Sequence, residues 1–190
     1  MKSMILNEGE YSLVMQMHHK RRYEFASLFV NIDDSVLDIG CGTGYGCNIM
    51  NQRSKYVEGI DLEMDSVEYA MDHYPNCCFQ QGDMRDLMVV PSFDIIICFH
   101  VLEHLKYDEG INLLNIIGEK TRQICIVNVP TDSKMNENKY HLSEWNEKQL
   151  YDVMSQFFKR VIFFSQDWVS GLVHYPFSEQ HSFIMVVCMK

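Results

Sequence analysis

Short apolar runs of strand length alternate along the chain with longer amphipathic stretches. The runs are Ser35–Ile39, Tyr56–Ile60, Cys77–Gln80, Phe93–Phe99, Ile124–Val129, Arg160–Ser165 and Ser182–Met189. Helical patterning covers Tyr11–Val30, Tyr45–Arg53, Met64–His73, Glu109–Glu119 and Glu147–Phe158. Asn146, followed three residues later by Gln149, marks a helix start with a capping box. Strands separated by helices predict βαβ units and a mainly parallel sheet. Only a loop, Asp167–His181, separates the last two strands, whereas a parallel pair needs a long crossover. The sheet is therefore expected to end in a hairpin-like antiparallel strand. The fold class is α/β, doubly wound.

Composition narrows the partners. The chain has 190 residues, 16 Lys+Arg and 26 Asp+Glu, for a formal charge of −10. One domain over residues 1–190 is expected. An acidic surface repels phosphate backbones and anionic lipid, which excludes a general nucleic-acid binder and membrane insertion. The longest apolar runs fall far short of the ~20 residues a bilayer requires. The seven cysteines form no Cys-x-x-Cys pair, and Cys98, Cys125 and Cys188 sit inside apolar runs as small core residues. A zinc ribbon and a disulfide framework are disfavoured, and a reducing cytoplasmic location is expected.

The chemistry begins where the first strand runs into Asp38-Ile39-Gly40-Cys41-Gly42-Thr43-Gly44-Tyr45-Gly46. Glycines there let backbone approach a ligand closely. A dinucleotide fingerprint requires G-x-G-x-x-G, and counting from Gly40 puts Tyr45 at the third glycine. Asp38 would repel a pyrophosphate but suits a cationic amino group. Further acids follow the next two strands: Asp61 in Gly59-Ile60-Asp61-Leu62, placed to hold ribose hydroxyls, and Asp83 in Gln81-Gly82-Asp83-Met84, able to accept from an exocyclic amine. All three mark the sheet edge where open α/β folds bind ligands.

These segments, with Phe93-Asp94-Ile95-Ile96-Ile97-Cys98-Phe99-His100-Val101-Leu102-Glu103-His104-Leu105, resemble class I S-adenosylmethionine-dependent methyltransferases. The resemblance covers roughly residues 22–190 and is similar to the ubiquinone-type O-methyltransferases. It implies a Rossmann-like sheet of seven strands, the last antiparallel. It also implies residues 1–30 as a lid helix on a 31–190 core. S-adenosyl-L-methionine would be the cofactor and S-adenosyl-L-homocysteine the product. Asp38, Gly40, Cys41, Gly42 and Gly44 would line the homocysteine part, Asp61 the ribose, Leu62 the adenine, and Asp83 with Met84 the adenine amine. Phe99 would face the cofactor, and Arg22 or Tyr23 would reach its carboxylate or an acidic substrate. Many relatives carry a Pro-Gly-Gly turn before the fifth strand, where this chain has Ile117-Gly118-Glu119-Lys120-Thr121-Arg122.

The acceptor would be a small molecule or glycan, with O-methylation favoured over N-methylation. A hydroxyl acceptor needs a base. His141, in Asn138-Lys139-Tyr140-His141-Leu142-Ser143-Glu144-Trp145-Asn146, is the first candidate and His100 the second. His104 completes the set. H-x-x-E-H in another setting is a zinc-protease motif, but here it starts at a strand end. Relatives with E-x-x-E-H at this place include metal users. With His100 in place of the first Glu, no metal is expected; Glu103, His104 and His141 would be the ligands otherwise. His18-His19-Lys20-Arg21-Arg22-Tyr23 is expected as a solvated face of the first helix. Two other classes fit less well: a cofactor-binding subunit that activates a partner, and a dinucleotide oxidoreductase, which Tyr45 and Asp38 disfavour.

Overall fold

The computed structural model describes residues 13–131, 140–167, 170–178 and 183–190. Residues 1–12 of the expected lid, Tyr11 among them, and Ser182, Asn138 and Lys139 lie outside them.

The elements run α1 (Leu13–Ser27), β1 (Ser35–Ile39), α2 (Tyr45–Asn51), β2 (Tyr56–Asp61), α3 (Met64–His73), β3 (Cys78–Gln81) and β4 (Phe93–Phe99). They continue with α4 (Tyr107–Lys120), β5 (Thr121–Pro130), α5 (Glu147–Met154), β6 (Arg160–Gln166), β7 (Val173–His174) and β8 (Phe183–Met189). Two 3₁₀ turns, Met84–Val89 and Leu102–His104, follow β3 and β4. The strands form one sheet in the order β3-β2-β1-β4-β5-β8-β6-β7.

Strand residues alternate between two apolar layers, as period 2 requires. Val36, Ile95, Ile97 and Ile126 pack with Tyr23 and Ala26 of α1, Cys47 and Met50 of α2, and Val67 and Ala70 of α3. Leu37, Ile96, Cys98 and Val127 pack on the other face against Leu113 and Leu114 of α4 and Leu150 and Met154 of α5. The expected core thiols Cys98, Cys125 and Cys188 are fully buried, and all seven cysteines are free. The capping box forms: Asn146 Oδ1 accepts from Gln149 N at 3.0 Å, and Gln149 Oε1 accepts from Asn146 N at 2.9 Å. Among the described residues, no helix is long and apolar enough to cross a membrane.

The seven expected strands are present, and the sequence-last one is antiparallel, but its place differs from a hairpin at the sheet's end. β8 inserts between β5 and β6 and runs antiparallel to both. The edge is taken by an eighth strand, β7, only two residues long, pairing Val173 with Gln166 and His174 with Ser165. Two residues are too few to show a period, so the pattern alone reads this stretch as loop.

The four parallel pairings among β1 to β5 bring strand ends level at one edge: Ile39 lies opposite both Ile60 and Cys98. Strand order reverses between β1 and β4. Such a switch point opens a crevice at the carboxyl ends of the strands, where ligands bind in open α/β sheets.

Candidate active site

The glycine loop leaves β1 at that switch point. Gly40, Gly42 and Gly44 have φ of 75°, 52° and 80°, a region that side chains with a Cβ rarely enter. Gly40 N and Cys41 N both donate to the Ile60 carbonyl, at 2.8 and 3.1 Å, which folds the loop over β2. A Cβ on Gly40 or Gly44 would collide with Val101 or with Ala70 and Phe79, whereas Gly42 faces open space. Gly42 is thus the loop position with room for a ligand.

Asp61 ends β2 and is 9% exposed. Its Oδ2 accepts from Gly42 N at 2.8 Å and its Oδ1 from Glu63 N at 3.0 Å. The carboxylate therefore fixes the glycine loop as well as offering its remaining lone pairs outward. Leu62 and Met64 stand exposed beside it, and Met84 is half-buried beyond β3. Apolar side chains exposed around an acid make a surface suited to a planar ring with a polar sugar.

Two acids sit differently from the expectation. Asp38 is fully buried, and Tyr23 Oη donates to both its oxygens, at 3.0 and 3.2 Å, with Cys47 Sγ at 3.5 Å. Burial pushes its carboxyl up to about 7, against the lowering pull of the Tyr23 and Cys47 hydrogen bonds. The acid expected to hold an amino group directly is instead enclosed under α1. Asp83 is half-buried, and Arg85 grips it with its backbone N at 2.9 Å and with its guanidinium, which holds the carboxyl below the usual range. An adenine amine would have to share this acceptor.

Helix α1 lies across the site rather than presenting its basic residues to solvent. His18, Arg22 and Tyr23 are buried, while Lys20 is exposed. The Tyr23 ring covers Gly46 so closely that a Cβ there would lie 2.3 Å from it, and it packs on Phe99 with centroids 5.0 Å apart. Gln166 Nε2 donates to the carbonyls of His18 and Gly171, each at 3.0 Å, and Arg21 donates to the Ser170 carbonyl. These bonds pin α1 to the end of β6. Arg22 projects inward with its guanidinium 5.2 Å from the Phe183 ring centroid. Among the described residues its Nε and Nη1 have no hydrogen-bond partner, and burial lowers its pKa. Buried guanidinium donors without an acceptor are costly, so the position suits an anionic group.

His100 follows β4 with φ 55°, anchored by its N–H to the Asn128 carbonyl at 3.0 Å. A bulky residue in this region marks local strain, which collects at functional sites. Its Nδ1 lies 2.7 Å from Glu103 Oε1, and His19 stacks on it with centroids 6.0 Å apart. Nε2 is buried and unpartnered among the described residues, near the Asn128 side chain. Burial first, then the Arg22 charge, holds the imidazole neutral. His141 is half-buried on the far side of Glu103 from His100, and its ring meets His104 edge-on at 5.1 Å. One ligand atom from each of Glu103, His104 and His141 lies within 4.8 Å of the others.

His19, Tyr45 and Phe183 belong to the site and were not singled out from the sequence. Tyr45 Oη meets His19 Nδ1 at 3.2 Å, and burial holds His19 neutral, down to about 2. Tyr45 was visible only as a missing glycine. A histidine inside a basic run gives no separate signal.

A family profile described as a methyltransferase domain matches residues 36–119. The chain is 38% identical over 86 residues to a ubiquinone biosynthesis O-methyltransferase of Glaesserella parasuis, covering 40% of this chain and 36% of that protein. Residues 36–119 thus resemble the methyltransferase domain of S-adenosylmethionine-dependent methyltransferases. Over 72 residues it is 33% identical to a dTDP-3-amino-3,6-dideoxy-alpha-D-glucopyranose N,N-dimethyltransferase of Streptomyces fradiae, covering 37% of this chain and 28% of that one. The matched segments thus span about a third of these methyltransferases' lengths. The fold extends further: the magnesium protoporphyrin IX methyltransferase of Synechocystis, solved with bound S-adenosylhomocysteine, superposes with a TM-score of 0.70 at 14% identity. That match covers 97% of this chain and 90% of that one.

Proposed function

We propose that this chain transfers a methyl group from S-adenosylmethionine to a hydroxyl of a small molecule or glycan in the cytoplasm. The observation that carries the reading is the convergence at one sheet edge of Gly42, Asp61, buried Arg22 and His100. Asp61 takes the ribose hydroxyls and Leu62 the adenine face, with Met84 alongside. Gly42 backs the methionine portion, and Arg22 takes its carboxylate, an acceptor for the Nε and Nη1 donors that have none among the described residues. Asp38 acts through Tyr23, holding α1 down over the loop.

In the transfer, the acceptor oxygen attacks the methyl carbon as the carbon–sulfur bond breaks, and that electron pair returns to sulfur. The sulfonium already activates the carbon, so the protein contributes positioning and removal of the acceptor proton. His100 Nε2 is our candidate to take that proton, and the Glu103 contact with Nδ1, which fixes the ring, supports it. This geometry favours O-methylation, because a neutral amine is nucleophilic without a base. The resemblance to a sugar N,N-dimethyltransferase supports an amine acceptor as the second reading.

Calorimetric titration with S-adenosylmethionine, S-adenosylhomocysteine and NADH tests the cofactor. Binding of the first two and not of NADH is expected; the reverse overturns the reading. Mass spectrometry of hydroxylated and amino sugars incubated with cofactor and the isolated chain tests turnover and separates an enzyme from a binding subunit.

A further inference from the structure

We propose that His19 of α1 determines acceptor specificity, as a neutral hydrogen-bond donor that selects acceptors carrying a second oxygen next to the hydroxyl to be methylated. This role rests on the methyl-transfer reading above, in which His19 has no task. His19, Arg22 and Tyr23 stand three and four residues apart and so share one face of α1. Tyr23 packs on Phe99 and Arg22 lies over Phe183, so this face is the one turned onto the site. His19 touches two parts of that site. Its Nδ1 meets Tyr45 Oη at 3.2 Å, and Tyr45 begins α2 directly after Gly44 of the glycine loop. Its ring stacks on His100, with centroids 6.0 Å apart and planes inclined by 26°. His19 thereby bridges the loop proposed to hold the methyl donor and the residue proposed to take the acceptor proton.

The Tyr45 contact fixes where the imidazole proton sits. Burial pushes the Tyr45 phenol up, so it keeps its own proton. Among the described residues, His19 Nδ1 is the only hydrogen-bond partner of that hydroxyl. A phenolic proton turned away from Nδ1 would have no acceptor, which is costly in a buried setting. Tyr45 therefore donates, Nδ1 accepts, and the imidazole carries its proton on Nε2. The phenol is steadied by the Tyr23 ring, edge-on with centroids 5.3 Å apart. Nε2 has no partner among the described residues, and the His19 ring is only half-buried. Its N–H is thus available to a ligand.

Burial first, then the charge of Arg22, holds this imidazole neutral. With Nδ1 occupied and Nε2 already protonated, His19 has no lone pair to offer an acceptor proton. Nor does a donor serve the attacking oxygen, since it would draw density from the lone pair that forms the new carbon–oxygen bond. The fitting partner is an oxygen beside the reacting one, as in the vicinal diol of a sugar. An ammonium group is opposed by the Nε2–H and by Arg22 alike.

The test uses the full chain labelled with ¹⁵N-histidine, with His19→Phe to identify the His19 signals by their absence. Long-range proton–nitrogen spectra should show a protonated Nε2 and an unprotonated Nδ1, unchanged from about pH 5 to 8. In Tyr45→Phe the Nδ1 signal should move toward that of an unbonded ring nitrogen. A second arm supplies S-adenosylmethionine with methyl hexosides, each beside the monodeoxy analogue lacking a hydroxyl next to the methylated one. The parent chain should favour the diol in kcat/KM by at least about tenfold, and His19→Phe should bring that preference to within about twofold of unity. Circular dichroism checks that both variants keep the fold. A proton on Nδ1, an unmoved Nδ1 signal in Tyr45→Phe, equal turnover of diol and deoxy sugar by the parent chain, or a preference that survives His19→Phe would each overturn the assignment. Calorimetry showing no S-adenosylmethionine binding by the parent chain would strike the methyl-transfer reading and the acceptor role together, while the spectra would still decide the Tyr45–His19 bond.

Discussion

Tyr23 of α1 and Asp38 of β1 are joined by a phenol donating to both oxygens of one buried carboxyl, at 3.0 and 3.2 Å. This contact ties the helix that covers the site to the strand that begins it. Around it, α1 brings Arg22 over the Phe183 ring, His19 to the face of His100, and the Tyr23 ring to Gly46. Helix α1 and the glycine loop are one packed unit.

The first prediction follows from the charge on Asp38. Burial raises its folded value to about 7 from 3.8, so the folded state binds this proton more tightly than the unfolded chain. The sign is therefore a loss of stability as pH rises between about 4 and 7. A shift of this size corresponds to about 4 kcal/mol at most. Asp38→Asn keeps an acceptor for Tyr23 and has no charge to bury. Urea unfolding should show the variant gaining on the parent chain as pH rises from 4 to 8. A constant difference across that range would contradict the role of burial.

A second prediction separates two glycines of the same loop. At Gly44, φ is +80° and a Cβ would lie 2.7 Å from Ala70 Cβ and Phe79 Cζ. Gly44→Ala adds steric overlap to left-handed strain and should cost about 3 kcal/mol or more. At Gly42, φ is +52° with nothing within 4 Å, so Gly42→Ala should cost only about 1–2 kcal/mol. Its methyl group would instead occupy the open side where the cofactor is proposed to lie. Denaturant unfolding should rank Gly44→Ala as the less stable, while calorimetry should find at least tenfold weaker S-adenosylmethionine binding in Gly42→Ala.

The sequence carried much of this architecture because its signals were local. Glycines at 40, 42 and 44 needed left-handed backbone, and the Asn146–Gln149 box needed only four residues. Burial of His18, Arg22 and Tyr23 was not legible, because α1 carries basic residues and its packing depends on Gln166 and Gly171, some 150 residues away. Arg85 is only two residues from Asp83 in sequence, but whether it points at the acid or at solvent is a matter of conformation. The grouping of His141 with Glu103 and His104 was suggested only by the resemblance to metal-using relatives; in the structure it rests on backbone bonds from Leu142 and Ser143 to the Glu103 carbonyl, which no spacing rule reports.

A third prediction concerns Asp61. Its two oxygens already accept from Gly42 N and Glu63 N, so removal loosens the loop as well as losing the ribose acceptor. A hydrogen bond to a charged group contributes ~1.5–3 kcal/mol. Asp61→Ala should weaken S-adenosylmethionine binding roughly 10–100-fold. Unchanged affinity by calorimetry would remove the ribose assignment.

The last prediction tests His100 with a substitution chosen for its backbone. Asn tolerates left-handed φ better than other non-glycine residues, so His100→Asn keeps the turn at φ 55°. The amide can still donate toward Glu103, which preserves the neighbouring carboxylate's partner. What disappears is Nε2, the nitrogen proposed to take the acceptor proton. General bases contribute typically ~10²–10⁴-fold, so kcat on a hydroxyl acceptor should fall by at least ~10²-fold. S-adenosylmethionine affinity should stay within about threefold, since the loss is confined to the proton-transfer step. An amine acceptor presented in its neutral form should lose far less, because nitrogen attacks before its proton leaves. A variant with normal kcat on the hydroxyl acceptor would rule out His100 as the base. Equal losses in kcat and cofactor affinity would mean instead that His100 holds the pocket together.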